Sequence, residues 1–87
     1  MAFVPRKDGE IYIEPIYKYQ HKFATKKELL NRGFIRHVSG DLKEKELMGL
    51  CVIIADGFIR NFHNAKVLID DSEFIRIQYG DIISILN

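Results

Sequence analysis

Apolar residues from position 50 onward fall into short runs that are separated by turn residues. The runs are LCVIIA (50–55), FIRNF (58–62), AKVLI (65–69), EFIRIQ (73–78) and IISIL (82–86). Each run is short enough for a strand, and β-branched and aromatic residues, which favour strands, are frequent in them. We therefore predict that this part of the chain forms a five-strand antiparallel meander with very short connections.

Turn residues set the predicted connections of this meander. Asp56-Gly57 is a strong hairpin signal, because a type I′ turn needs positive φ at both of its central positions. His63-Asn64 would turn the chain toward the next strand. On the return strand between these turns, Phe58, Arg60 and Phe62 would share one side. Arg60 is the residue of this stretch to test for binding.

The register of the next hairpin follows from the division of apolar side chains between its two faces. A three-residue loop, 70–72, would pair Ile69 with Glu73 and Val67 with Ile75. The predicted core face then holds Ala65, Val67, Ile69, Ile75, Ile77 and Tyr79. The opposite face holds Lys66, Leu68, Phe74, Arg76 and Gln78.

A short helix is predicted over residues 24–33. Thr25 is followed three residues later by Glu28, which is the spacing of a capping box. Gly33 is well placed to end the helix in the left-handed conformation. A helix of about two turns needs tertiary packing to persist.

Three further elements complete the predicted fold. Residues 10–19 have strand composition, and Pro15 restricts them to an edge strand or to two short pieces. Residues 34–38 are a short strand, and residues 39–49 are a second helix that Asp41 would cap. The fold class is therefore α+β: a small antiparallel sheet or partly closed small barrel with two short helices.

The ending FIRIQYGDIISI (74–85) resembles the last motif of the Sm-like small barrels, in which a Gly-Asp or Gly-Asn turn joins two apolar strands. The resemblance covers roughly half of the chain. The chain lacks the long second and third strands of that family and the Asp/Asn pair that contacts RNA. No functional residue is therefore carried over from it.

Composition narrows the class of protein. Eighty-seven residues make one domain, 1–87, with a thin core. The net charge is +1, which argues against a protein that coats DNA through charge alone. The charge is unevenly distributed, since the first 40 residues carry +4 and the rest carry −3. Cys51 is expected to be a buried small hydrophobe. No signal-peptide pattern and no membrane-length apolar run occurs, so we expect a cytoplasmic protein without membrane contact.

The sequence gives no pattern for catalysis, a cofactor or a metal. His21, His37 and His63 have no metal-ligand spacing, and there is no glycine-rich phosphate loop. We therefore expect a protein that is not an enzyme. His21 and His37 lie in the most basic region, which leaves a small ribonuclease as a distant third possibility.

The segment 15–37 interleaves basic and aromatic residues, as a single-strand nucleic-acid binder would. Its alternative interpretation is a solvated helix face with aromatic rings in the core. If the segment binds RNA or single-stranded DNA, the residues involved would be Tyr17, Tyr19, Lys22, Lys26, Lys27 and Arg36, together with Arg60.

The outer sheet face carries the preferred hypothesis. Exposed Leu68 and Phe74 beside Lys66 and Arg76 would form an apolar centre with a charged rim, as in protein interfaces. Either the chain's own helices or another molecule should cover such a patch. We therefore predict a non-enzymatic interaction module that binds another protein or itself, with RNA or single-stranded nucleic acid as the alternative ligand.

Overall fold

The computed structural model describes Pro5, residues 7–19 and residues 27–86. Six antiparallel strands form one sheet in the order β4-β5-β1-β2-β3-β6. The strands are β1 (Glu10–Tyr19), β2 (Lys27–Val38), β3 (Cys51–Ile54), β4 (Lys66–Ile69), β5 (Ser72–Gln78) and β6 (Ile82–Leu86). The helices are α1 (Gly57–Arg60), α2 (Phe62–Ala65) and two 3₁₀ helices, Gly40–Lys45 and Tyr79–Asp81.

The strand order confirms the coarse prediction of a small antiparallel sheet with short helices. It does not confirm the five-strand meander or the partly closed barrel. β1 and β2 occupy the centre of the sheet, while β3 and β6 lie on one side and β5 and β4 on the other. The sheet is not closed, and β4 and β6 are its two edges.

The connection from β5 to β6 forces this open sheet to curl. The two strands lie four positions apart, which in a flat sheet would be about 19 Å at about 4.8 Å per strand. The four peptide units from Gln78 to Ile82 span about 14 Å at most, and their 3₁₀ conformation shortens them further. The ends of β5 and β6 must therefore approach each other across a strongly curved sheet.

Gly33 lies where the two central strands, β1 and β2, approach each other closely. It lies opposite Pro15, next to a register shift in β1. A Cβ atom at position 33 would overlap the side chain of Ile13 and the carbonyl oxygen of Glu14. Irregularities of this kind bend strands and increase twist. The paired residues of β5 reach only to Ile13, so Pro15 occupies a stretch of β1 without β5 pairing.

The predicted helix over 24–33 is wrong. From Lys27 the chain belongs to β2, where Glu28 lies opposite Lys18 and Leu29 opposite Tyr17. Pairing with β1 satisfies backbone groups at both ends of β2, whereas an isolated two-turn helix is marginal. Thr25, the predicted cap, lies outside the described residues.

The segment predicted as the second helix forms a 3₁₀ helix over its first half. Asp41 lies in its first turn, where its carboxylate accepts a hydrogen bond from the Ser39 hydroxyl. The same carboxylate accepts the Gly9 N–H, whose nitrogen lies 3.0 and 3.1 Å from the two carboxylate oxygens. These hydrogen bonds lower the pKa of Asp41 and join the helix to the turn before β1. Leu42 and Leu47 are buried in the core.

The predicted hairpin at Asp56-Gly57 is also wrong, because α1 and α2 replace the strand FIRNF and the His63-Asn64 turn. The N–H of Arg60 donates to the Asp56 carbonyl at 3.1 Å, a helical hydrogen bond. The helices pack apolar side chains against the core at a roughly helical spacing. These side chains are Phe58, Ile59, Phe62 and Ala65.

The hairpin between β4 and β5 has a two-residue turn rather than the predicted three-residue loop. Asp70 and Asp71 have φ of 50° and 67°, as a type I′ turn requires. Val67 consequently lies opposite Phe74 and Lys66 opposite Ile75. The predicted register is therefore off by one residue, because aspartate tolerates the left-handed conformation at both turn positions.

The core lies on the inner face of the curled sheet. Ile75 and Ile77 are buried as predicted, whereas Val67 and Ile69 are only half-buried. Cys51, which was expected in the core, is half-buried. The fully buried side chains around Ile75 are Ile11, Ile13, Ile35, Val52 and Ile54.

Candidate functional site

The four predicted interface residues do not share one face. Opposite residues of an antiparallel pair point to the same side, so Lys66 joins the side of Ile75, and alternation places Leu68 with it. Phe74 and Arg76 lie on the other side. Leu68 is 63% exposed, whereas Phe74 is only 9% exposed.

Phe74 belongs to a chain of three rings in contact across β5, β2 and β1. The His37 ring packs edge-on against Phe74 with 5.2 Å between centroids, and Tyr12 packs edge-on against His37 at 6.5 Å. These three residues form a second apolar cluster on the outer side of β1, β2 and β5. Phe74 thus offers little surface to a partner.

A groove of about 490 Å³ runs beside this cluster. The Arg36 guanidinium binds the Glu14 carboxylate at 2.7 Å, and the Tyr17 hydroxyl donates to Glu73 at 3.0 Å. Its other lining residues include Pro15, His37, Ser72 and Phe74. The Arg36 guanidinium and the Tyr17 hydroxyl in this groove are therefore already bound to carboxylates of the same chain.

Tyr17 should lose its proton at a higher pH than an ordinary tyrosine. Burial, and then the hydrogen bond to Glu73, raise the pKa of Tyr17 to about 12. Because the folded pKa exceeds the unfolded value near 10, this contribution to stability is complete below about pH 10 and is lost as the pH rises toward 12. Absorbance titration of tyrosinate should show a step near pH 12 that Tyr17→Phe removes.

Tyr79→Phe is the matched control, because Tyr79 is exposed. It should leave the step near pH 12 in place. Persistence of that step in Tyr17→Phe would show that another phenol carries it.

The predicted nucleic-acid residues are dispersed. Tyr17 and Arg36 share the groove, whereas Arg60 lines a separate cavity of about 250 Å³ with Glu28 and Asp56. Tyr19 and Lys27 lie opposite each other at the far end of the β1–β2 pair. Lys22, Lys26 and His21 lie outside the described residues.

The helical segment after β3 lines a further cavity, of about 540 Å³. Its polar lining comes from Asn61, Asn64 and Arg76, and Phe58 supplies an apolar wall. Arg60, between two phenylalanines in sequence, belongs to the smaller cavity described above and is exposed. Both asparagines of the stretch 56–69 therefore line one cavity together with an arginine from β5.

Among the described residues, no cluster of three or more histidine, cysteine, aspartate or glutamate residues has the geometry of a metal site. Their helices include none that is long and apolar enough to cross a membrane.

The edge strand β6 presents a surface that the sequence prediction missed. Ile83 is 67% exposed and Ile85 is 42% exposed. Among the described strands, β6 pairs with β3 alone. Five residues without a single charge, Ile82–Leu86, therefore offer both unpaired backbone groups and apolar side chains to solvent.

The opposite edge differs in charge. β4 begins with Lys66, whose ammonium lies 3.8 Å from the Glu73 carboxylate of β5, and it ends at the two aspartates of the turn. Charged residues at an edge disfavour pairing with a further strand. β6 has no such charges, and its one irregularity is a register shift that leaves Ile83 without a partner in β3.

Comparison with family models, with curated proteins and with solved structures gives no match to this chain.

Proposed function

We propose that this chain is a small, non-enzymatic interaction module that takes up a strand of another polypeptide at the free edge of β6. The observation that carries the proposal is the exposed, uncharged edge with Ile83 and Ile85. Addition of a strand to an open edge supplies main-chain hydrogen bonds for affinity, and side chains beside the edge supply specificity.

The exposed isoleucines give this docking its driving force. Fully burying an isoleucine side chain contributes about 1.5–3 kcal/mol. Two such residues on one short strand are an apolar centre of the kind found in stable protein contacts. Backbone groups left unpaired along β6 would gain partners in the same step.

Nucleic-acid binding has less support. Tyr17 and Arg36 would have to leave Glu73 and Glu14 before they could stack on a base or bind a phosphate. The groove that holds them also contains both of these carboxylates, which repel a phosphate backbone. We therefore prefer a polypeptide as the ligand.

Site-specific photo-crosslinking tests the proposal. A photo-reactive amino acid replaces Ile83 in one variant and Leu68 in the control, and the chain is expressed in living cells. The two positions are similarly exposed, at 67% and 63%, but lie on opposite edges of the sheet. Illumination should join a polypeptide to the chain through position 83 and give little product through position 68.

Equal yields at the two positions, or no adduct at position 83, would contradict the proposal. An adduct with RNA in place of polypeptide would favour the alternative ligand. Melting curves of both variants should match that of the wild type, because both side chains are exposed.

A further inference from the structure

We infer that the strand which β6 takes up is β6 of a second copy of this chain, in antiparallel orientation with Ser84 at the two-fold axis. This inference rests on the docking edge proposed above and names its partner. The assembly is a closed dimer in which two six-stranded sheets join at one edge.

Self-complementarity of the strand is the first argument. Ile82–Leu86 reads Ile-Ile-Ser-Ile-Leu, which is nearly symmetric about Ser84. In an antiparallel pair centred there, Ser84 meets Ser84 of the second copy and Ile83 meets Ile85. Directly opposite side chains are 4.5–5.5 Å apart at Cβ, so the pairing brings the two exposed isoleucines of each copy against those of the other.

Charge is the second argument. A two-fold axis places each charge near a like charge unless the register separates them, and like charges directly opposite destabilise a strand pair. Ile82–Leu86 contains none. The nearest acidic residue, Asp81, would lie about 20 Å from its symmetry mate at about 3.4 Å per residue, which is beyond the Debye length of about 8 Å at physiological salt.

The other edge of the sheet explains why the assembly stops at two copies. Pairing of β6 with β4 would be a head-to-tail contact and would repeat into an open chain of molecules. β4 carries Lys66 at its start and is followed by Asp70 and Asp71, which disfavour this addition. Pairing of β6 with β6 uses both free β6 edges at once and leaves only the β4 edges outside.

Disulfide trapping tests the register. Residues directly opposite in an antiparallel pair have Cα atoms about 4.5 or 5.5 Å apart, within the range of about 4.4–6.8 Å that a disulfide spans. In a Cys51→Ser background, Ser84→Cys should form a covalent dimer under mild oxidation at micromolar concentration. Ser72→Cys, an exposed serine in β5 on the other side of the sheet, is the matched control and should stay monomeric.

A mixing experiment makes the same test more specific. Position 83 lies opposite position 85 of the second copy, and a residue and its diagonal neighbour are about 7–8 Å apart, too far for an unstrained disulfide. A mixture of Ile83→Cys and Ile85→Cys should therefore give mainly the mixed dimer. Predominance of either homodimer would overturn the Ser84-centred register.

Sedimentation of the purified wild-type chain over a concentration series tests the partner itself. We expect a monomer–dimer equilibrium that Ile83→Lys weakens about tenfold or more, since it places a lysine in the apolar centre. Leu68→Lys should leave the equilibrium unchanged. A wild type that remains monomeric, with Ser84→Cys oxidising no faster than Ser72→Cys, would overturn the inference.

That outcome is distinct from failure of the proposed function. Photo-crosslinking through position 83 to a different polypeptide, combined with a monomeric purified chain, would keep the docking edge and exclude the second copy as its partner. Absence of any adduct at position 83 would exclude both.

Discussion

Gly33→Ala should destabilise the fold by about 3 kcal/mol, at the upper end of the cost of overpacking a core. The new methyl group would overlap the Ile13 side chain and the Glu14 carbonyl oxygen. Both lie in β1, the central strand that pairs with β2 and β5. Relief would require the backbone of β1 to shift, and the buried Ile13 would have to leave its place in the core.

Urea unfolding of Gly33→Ala and Gly40→Ala provides the measurement. Gly40 has no atom within 4 Å of the position of an added Cβ, so its substitution should not destabilise the fold and should stabilise it by about 0.4–1 kcal/mol. A shift of the midpoint without a change of slope reports stability alone. Equal midpoints for the two variants would mean that β1 and β2 do not approach as closely at Gly33 as described.

Gly33 also shows where local sequence patterns mislead. A glycine after Leu29 and Leu30, with a capping-box spacing upstream, is typical of a helix end. The same residues belong to a strand, because β1 lies alongside and pairs with residues 27–29 and 33–35 of β2. Pairing between strands is a nonlocal contribution, and no pattern within 24–33 contains it.

In the stretch 56–65 the error is reversed: the pattern predicts a hairpin and a strand, and the structure has two short helices. Asp56-Gly57 is a strong hairpin signal when one strand precedes it and another follows it. Phe58, Ile59 and Phe62 have a spacing that is equally compatible with a helix, and packing against the curled sheet selects that alternative. Short apolar segments do not distinguish the two periods without their tertiary neighbours.

Strands β3 to β6 could be predicted because their apolar runs are continuous and bounded by turn residues. The exposure of β6 could not be predicted, since it depends on which strand lies at an edge of the sheet. β6 pairs with β3, some thirty residues earlier in the chain, and has no described neighbour on its other side. The run IISIL contains no charged residue, but this absence indicates an unprotected edge only once the strand order places β6 at the edge of the sheet.

Ile75→Ala is expected to cost about 2–5 kcal/mol, through lost burial and the cavity that it leaves. Ile75 is fully buried, and it lies opposite Ile13 on one side and Lys66 on the other. Its neighbours belong to a sheet whose curvature is fixed by the short β5–β6 connection. The surroundings therefore have little freedom to collapse into the space.

Leu68→Ala is the control for this prediction, because it removes a comparable aliphatic side chain that is 63% exposed. Its free energy of unfolding in urea should stay within about 0.5 kcal/mol of the wild-type value. Both variants keep the β6 edge intact, so a shift in self-association cannot account for a difference between them. If Leu68→Ala were as costly as Ile75→Ala, the Leu68 side chain would have to be buried, which would contradict its exposure at the β4 edge.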